Sequence, residues 1–109
     1  MSKEKRLEQE RRAMQRFPVN IEVEWEGAIG RQKGTISDVS SLGCFILCSG
    51  EVENDEPVNI FIPLGDGMKL QFPGEVSNHV YEIGFGVRFT QLSKAQQQFL
   101  DSIIESVAE

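Results

Sequence analysis

The stretch FPVNIEVEWEG, residues 17–27, carries the clearest signal of fold class in this chain of 109 residues. Every second residue from Val19 to Trp25 is apolar, and the residues between them are Asn or Glu. A repeat of two is typical of an antiparallel strand that has one face in the core and the other in water. We therefore predict a half-buried strand here, with Trp25 facing the core and an acidic outer face.

Further short apolar segments follow this strand at intervals of about 8–12 residues. Gly marks the turns at Gly27–Gly30 and Gly65–Gly67, residues 37–43 are turn-rich, and residues 49–57 (SGEVENDEP) have the composition of an acidic loop. Pro73-Gly74 predicts a break that divides one strand. Six or seven short strands indicate a small antiparallel barrel, which closes on itself and leaves no open edge. The predicted strands after the first are 31–39, 44–48, 58–64, 68–72 with a continuation over 75–80, and 83–89.

The periodicity becomes helical near the C-terminus. Ser93 and Gln96 have the spacing of a capping box, in which the Ser hydroxyl and the Gln side chain each bond the other residue's backbone. Apolar residues then recur on one helical face, at Phe99, Leu100, Ile103, Ile104 and Val107. We predict an amphipathic helix over about residues 93–107 that covers an end or a seam of the barrel.

Charge is distributed unevenly along the chain, whose net charge is −6. Residues 1–16 hold six Lys or Arg and three Glu, whereas the rest hold five Lys or Arg and fourteen Asp or Glu. We interpret residues 1–15 as a flexible basic arm and residues 16–109 as a single acidic domain. A basic arm on an acidic body indicates a local anion site and argues against a broad nucleic-acid-binding surface.

The sequence also bears on location. The N-terminal segment MSKEKRLEQERR is charged from the start and lacks the apolar segment of a secretory signal. No apolar run approaches the roughly 20 residues that span a bilayer. We therefore expect a cytoplasmic protein that does not insert into membranes.

Few residues are suited to catalysis or metal binding. His79 is the only histidine, and no Asp or Glu has a spacing that would pair with it. Cys44 and Cys48 lack the CxxC spacing and a His neighbour, which argues against zinc. On one strand their Cα atoms would lie about 13 Å apart, too far for a disulfide. The sequence therefore predicts free thiols and a protein that is not an enzyme and uses no metal or cofactor.

Two short motifs remain as candidates for ligand binding. Arg12 and Arg16 lie four residues apart, so their guanidinium groups can share one side and suit a phosphate or the O6/N7 edge of guanine. Asp38-x-Ser40-x-x-Gly43 combines a base-binding carboxylate, a hydroxyl and a Gly that allows close backbone approach. Each motif also has a simpler interpretation, the first as a solvated arm and the second as a turn in which Gly takes a positive φ.

Together and in this order, the two motifs resemble those of the PilZ domain family, bacterial receptors for the second messenger cyclic di-GMP. The resemblance covers nearly the whole chain, including Arg-Phe-Pro-Val at residues 16–19, Gly-Phe-Gly-Val-Arg-Phe at residues 84–89 and the final helix. It implies a six-stranded antiparallel barrel that binds cyclic di-GMP without chemistry.

The resemblance also implies roles for individual residues. Arg12 and Arg16 would grip phosphates and the Hoogsteen edge of guanine. Asp38 and Ser40 would hold a base against the barrel surface, and Gly43 would permit the turn.

Two neighbouring positions modify this expectation. Arg11 would supply a third guanidinium, which is compatible with an intercalated pair of ligand molecules. Leu42 stands where the family more often has Gly or another small residue, so it is expected to narrow the surface on which the base would lie. Ordering of the arm over the ligand would change the surface presented to a downstream protein effector.

Besides an enzyme, for which the sequence offers no catalytic set, two alternatives remain beside the receptor function. One is a PilZ-like fold that serves only as a protein interaction module and does not bind the nucleotide. The other is a small barrel that binds RNA or DNA through the arm. The second conflicts with the outer face of the first strand, because Glu22, Glu24 and Glu26 would repel phosphate. We therefore expect no DNA or RNA partner.

Overall fold

The computed structural model describes residues 15–107 of the chain. Six strands are followed by a C-terminal helix. They are β1 (Phe17–Gly27), β2 (Gly30–Val39), β3 (Gly43–Leu47), β4 (Pro57–Gly65), β5 (Met68–Val80), β6 (Gly84–Phe89) and α1 (Lys94–Val107). The predicted division of the sequence into a set of strands and a final helix is confirmed.

The strands form a closed antiparallel barrel in the order β1-β2-β3-β6-β5-β4. The pairs β1–β4 and β3–β6 join strands that are not consecutive in the chain. Because β6 lies between β3 and β5, Gly43 becomes the strand partner of Arg88, a residue far away in sequence. The predicted fold class, a six-stranded antiparallel barrel with a C-terminal helix, is confirmed.

The barrel interior is filled by the apolar halves of the alternating strands. Trp25 is almost fully buried, as its position in the first strand predicts, and meets Phe85 edge-on with 4.8 Å between ring centroids. The acidic loop between β3 and β4 also contributes to the core, because Val52 is buried there. That loop is therefore anchored to the barrel by an apolar side chain, which its composition did not suggest.

Helix α1 begins with the predicted capping box. The Ser93 hydroxyl accepts a hydrogen bond from the Gln96 N–H at 3.2 Å, and the Gln96 side chain accepts one from the Ser93 N–H at 2.6 Å. Leu100 is buried, and Phe99 meets Phe72 of β5 with 6.0 Å between ring centroids. Within residues 15–107, no helix has the length and apolar character that crossing a membrane requires.

The predicted strand break at Pro73-Gly74 is wrong, because β5 runs through it without interruption. Pro73 pairs with Asn59 of β4, and its carbonyl accepts a hydrogen bond from the N–H of Thr90, just past the end of β6. A strand residue directs its nitrogen and its carbonyl to the same side. The missing N–H of Pro73 therefore falls where β6 has already ended, so no ladder bond is lost.

The turn-rich stretch 37–43 is shorter in the structure than the sequence predicts. Asp38 lies within β2, opposite Pro18 of β1 and Phe45 of β3. The turn is confined to residues 40–42. A paired strand fixes a side chain more firmly than a turn does, so Asp38 projects from a well-defined position on the outer barrel wall.

Candidate functional site

Ser40 fixes the turn between β2 and β3. Its buried hydroxyl oxygen accepts hydrogen bonds from the N–H groups of Leu42 at 3.1 Å and Gly43 at 3.2 Å. The Ser40 N–H donates to the Gly43 carbonyl at 2.8 Å, and the hydroxyl donates to the same carbonyl at 3.4 Å. Both acceptor positions of the hydroxyl are thus used by the turn, and its proton is held in the longest of the four bonds.

Gly43 is required by the close approach of β3 and β6. A Cβ added at this position would lie 1.9 Å from the carbonyl oxygen of Val87, well inside any real contact distance. Gly43 does not have a positive φ, so the turn interpretation of this Gly is wrong. It is the alternative property, the absence of a side chain, that the backbone uses here.

Arg16 and Asp38 are brought together although 22 residues separate them. Arg16 Nη1 donates to Asp38 Oδ1 at 2.7 Å. Pairing of Pro18 with Asp38 explains the contact, because it carries the residues before β1 onto the end of β2. The two side chains are 52% and 31% exposed, so the pair lies at the surface. Arg11 and Arg12 lie outside the described residues.

A cavity of about 230 Å³ lies beside this pair. It is lined by Arg16 and by residues of the β2–β3 turn, β3, β5 and β6, which are Ser40, Leu42, Gly43, Ser77, Val87 and Arg88. This volume is below the range of about 300–1,000 Å³ typical of small-molecule pockets. The cavity therefore suits one part of a larger ligand, with the remainder lying along the outer wall.

Arg88 and Ser77 extend the candidate site beyond the residues predicted from the sequence. Arg88 lies opposite Gly43, and its Nη2 donates to Glu75 Oε2 at 2.9 Å. Alternation along β6 places Arg88 on the outer wall, but only the insertion of β6 beside β3 brings it to the site. That neighbour relation has no signal in the sequence around Arg88 itself.

The site balances cations against carboxylates. Arg16 is paired with Asp38, and Arg88 is paired with Glu75 across neighbouring strands. All four side chains are substantially exposed, so the pairs are weak and can be opened at small cost. An anionic ligand can take over the guanidinium donors, which frees a carboxylate to accept hydrogen bonds from a base.

The two cysteines are free thiols, as predicted. Cys44 is fully buried beneath the site, and burial raises the pKa of its thiol, with the charge of Asp38 adding to the effect. Burial also raises the pKa of the Cys48 thiol. Raised pKa values keep both groups protonated near neutral pH and make them poor nucleophiles. Among residues 15–107, no three His, Cys, Asp or Glu side chains are grouped so as to hold a metal ion.

Comparisons with known proteins identify a family and agree with the fold. The family model for the PilZ domain matches residues 10–106. Among solved structures, the PilZ domain of CeSA from a cellulose-synthesizing bacterium has a TM-score of 0.66 and 24% identity, over 84% of this chain and 96% of that one. No curated protein sequence matches the chain.

Two larger structures share the fold. Bacillus subtilis inhibitor of motility MotI/DgrA has a TM-score of 0.69 at 12% identity, over 84% of this chain. The Borreliella burgdorferi PlzA protein, solved in complex with c-di-GMP, has a TM-score of 0.69 at 12% identity, over 90% of this chain. This chain spans 47% and 43% of those two proteins.

Proposed function

Because the chain belongs to the PilZ domain family of cyclic di-GMP receptors, we propose that it binds cyclic di-GMP on the outer wall around the β2–β3 turn. The observation that carries the proposal is the contact between Arg16 and Asp38, which joins the two sequence motifs beside the buried Ser40 turn. The CeSA domain supports it through the fold, and the PlzA complex through its ligand. The proposed ligand contacts are Arg11, Arg12, Arg16, Asp38, Ser40 and Gly43.

Arg16 and Asp38 act by exchanging partners. In the free protein the guanidinium is paired with the carboxylate at 2.7 Å. On binding, Arg16 turns to a phosphate or to the Hoogsteen edge of guanine, while Asp38 accepts from the N1–H and N2–H₂ of a base. An exposed pair is worth about 0.2–1 kcal/mol, whereas each hydrogen bond to a charged group contributes about 1.5–3 kcal/mol. The exchange is therefore favourable.

Ser40 and Gly43 shape the surface that receives the base. Ser40 holds the turn through its two accepted hydrogen bonds. Its hydroxyl can rotate away from the long 3.4 Å bond to the Gly43 carbonyl and donate instead to a ligand oxygen. Gly43 allows β3 to lie close to Val87, and it presents no side chain to the cavity that it lines. Leu42 is half exposed and lines the cavity, where it narrows the surface available to the base.

Arg11 and Arg12 supply the remaining positive charge. We assign Arg12 to the same phosphates as Arg16, and Arg11 to a second, intercalated ligand molecule. Fixing a residue costs roughly 1–2 kcal/mol, so holding the N-terminal residues over the ligand requires several charge-assisted hydrogen bonds. Arg88, which also lines the cavity, adds a further cation. The N-terminal residues held over the ligand then present a changed surface to a downstream protein effector, and the protein acts as a receptor without catalysis.

Isothermal titration with cyclic di-GMP, with GTP as the control nucleotide, tests the proposal. We expect saturable binding of cyclic di-GMP and none of GTP at the same concentration. A stoichiometry of two molecules per chain supports the role given to Arg11, and a stoichiometry of one contradicts it. Absence of heat, together with an unchanged Tm in excess ligand, would refute the receptor function and leave the fold as a protein interaction module.

The variant Asp38→Asn sharpens the test, because it keeps the size of the side chain and removes its charge. It loses the favourable acceptance of two guanine donors and is expected to bind cyclic di-GMP about tenfold or more weakly. Glu26→Gln is the matched control, since Glu26 is also half exposed on a strand and pairs with Arg31 away from the site. Equal loss in both variants would indicate a general charge effect.

A further inference from the structure

The end of the barrel remote from the β2–β3 turn displays apolar side chains at its turns. Ile29, between β1 and β2, is 74% exposed, and Tyr81 and Ile83, between β5 and β6, are 72% and 55% exposed. Leu47 and Val80 stand beside them on the outer wall, because both pair with Gly84. We call the surface formed by these five residues the apolar end.

The acidic loop between β3 and β4 adjoins both of these turns. The Cys48 N–H donates to the Ile83 carbonyl at 3.1 Å, which ties the start of that loop to the β5–β6 turn. Ile29 lines a cavity of about 480 Å³ together with Glu51, Glu53 and His79. The apolar end and the loop carboxylates are therefore contiguous.

The fold does not require apolar residues at these turns. Val52 of the loop already provides a buried apolar contact at this end of the barrel. Hairpin turns are usually built from Gly, Asn and Asp, and the β4–β5 turn at the other end of the barrel follows that rule with Gly65-Asp66-Gly67. Neither turn chemistry nor core packing explains why the exposed turn positions 29 and 81 carry Ile and Tyr.

The charge around the apolar end is mainly negative. Residues 34–87 contain a single Lys or Arg, Lys69, which is paired with Glu24. Arg31 is the positively charged residue nearest in sequence to the β1–β2 turn. Its Nε lies 3.9 Å from Glu26 Oε2, and its Cζ lies 4.1 Å from the centre of the Phe61 ring. The exposed carboxylates of the loop and the β5–β6 turn are Glu51, Glu53, Asp55 and Glu82.

We propose that the apolar end docks a basic amphipathic segment of a partner protein, in which apolar side chains are flanked by Lys or Arg. An apolar centre with a charged rim is the usual composition of a protein interface. Here the rim is acidic, so it favours a basic partner. The same rim opposes a second copy of this chain, whose carboxylates would face it, as well as nucleic acid and anionic lipid, which carry like charge.

The proposed surface leaves the nucleotide site free. Gly84 and Arg88 lie four residues apart on β6, which corresponds to about 13 Å along the strand. Partner docking at one end and cyclic di-GMP at the other can therefore occur together. The inference goes beyond the proposed function and does not rest on it, since the apolar end contains none of the proposed nucleotide ligands.

Fluorescence anisotropy with a labelled probe tests the inference on the full chain. The probe is an 18-residue helical peptide of Leu and Lys with an apolar and a basic face, and the control probe has Glu in place of Lys. At about 0.15 M salt we expect the Lys peptide to bind and the Glu peptide not to bind. Equal binding of the two peptides would overturn the charge argument, and absence of binding by the Lys peptide would overturn the proposal.

Paired variants locate the binding. Ile29→Ser combined with Tyr81→Ser is expected to weaken binding of the Lys peptide at least about tenfold. Met68→Ser is the matched control, because Met68 is 63% exposed beside the β4–β5 turn at the other end of the barrel. Equal affinity in the double variant and the unsubstituted protein would overturn the apolar part of the proposal.

A second pair of variants tests the acidic rim. Glu51→Lys combined with Glu53→Lys should abolish peptide binding, whereas Asp66→Lys in the β4–β5 turn should leave it within about twofold. All three positions are exposed turn or loop residues, so thermal unfolding should be nearly unchanged. Titration of the same variants with cyclic di-GMP separates the two functions, because loss of peptide binding with intact nucleotide binding supports two independent sites.

Discussion

Replacement of Arg16 by Ala separates a binding role from a structural one. In the free protein Arg16 makes one hydrogen-bonded ion pair, with Asp38 at 2.7 Å, and its side chain is 52% exposed. An exposed pair contributes at most about 1 kcal/mol to the free energy of unfolding. For a domain of this size, that loss lowers Tm by no more than about 4–8 °C.

In the proposed complex, the same substitution removes one or two charge-assisted hydrogen bonds to cyclic di-GMP. Each is worth about 1.5–3 kcal/mol, so Kd should rise by roughly ten- to hundredfold. The ion pair partly offsets this loss, because in the variant the ligand no longer competes with the Arg16 guanidinium for Asp38. Arg16→Lys keeps the charge but not the planar fork and should fall between the two.

Isothermal titration measures Kd for the three proteins, and thermal unfolding followed by circular dichroism measures stability. Arg31→Ala is the matched control, because Arg31 is also half exposed and paired with a carboxylate, Glu26, outside the site. We expect its Kd to stay within about twofold of the unsubstituted value. Unchanged Kd in Arg16→Ala, or an equal rise in Arg31→Ala, would refute the assignment of Arg16 to the ligand.

Three further predictions concern stability and thiol chemistry. Gly43→Ala places a Cβ 1.9 Å from a carbonyl oxygen of β6 and should lower the free energy of unfolding by about 1–3 kcal/mol or more, measured by urea titration, while also weakening nucleotide binding. In the native protein at pH 8, a thiol reagent should leave Cys44 unmodified and react slowly with the half-buried Cys48. Both thiols should react in urea. Fast reaction of both thiols in the native state would contradict the burial of Cys44. The hydrogen bond and charge of Lys69 lower the pKa of Glu24 below its usual 4.5, so their contribution to stability is present above that pH and is lost as the pH falls through the lowered value. Glu24→Gln should therefore lower Tm at pH 7 and converge with the unsubstituted protein in acid, and a constant difference at all pH values would contradict this.

Most of the fold could be predicted because local patterns and tertiary contacts agree. The alternation around Trp25 gives the correct inward face, and the Ser93 capping box marks the helix start to within one residue. Pro73 misled the prediction because a local rule against Pro in strands does not include the position of the neighbouring strand. The carbonyl of Pro73 points to Thr90, beyond the end of β6, where a missing N–H is harmless.

The site could be predicted less completely than the fold. The sequence identified Arg16, Asp38, Ser40 and Gly43 by motif, and the structure brings these four residues to one place. The use of Gly43 could not be decided from sequence, since a positive φ and a close backbone contact both select Gly. Arg88, which lines the cavity of the candidate site, was not predicted from the sequence because its position depends on which strands become neighbours.

The insertion of β6 between β3 and β5 has a consequence for biosynthesis. As the chain is made, β3 and β5 have unpaired edges until residues 84–89 emerge, and such edges are prone to aggregate. The wall facing Gly43 is itself part of β6, so a chain that stops before that strand has neither a closed barrel nor the complete surface proposed to bind the ligand. The β3–β6 pairs join residues 37 to 45 positions apart in the chain. Pairings of such separation are slow to form, so we expect closure of the barrel to be a late step of folding.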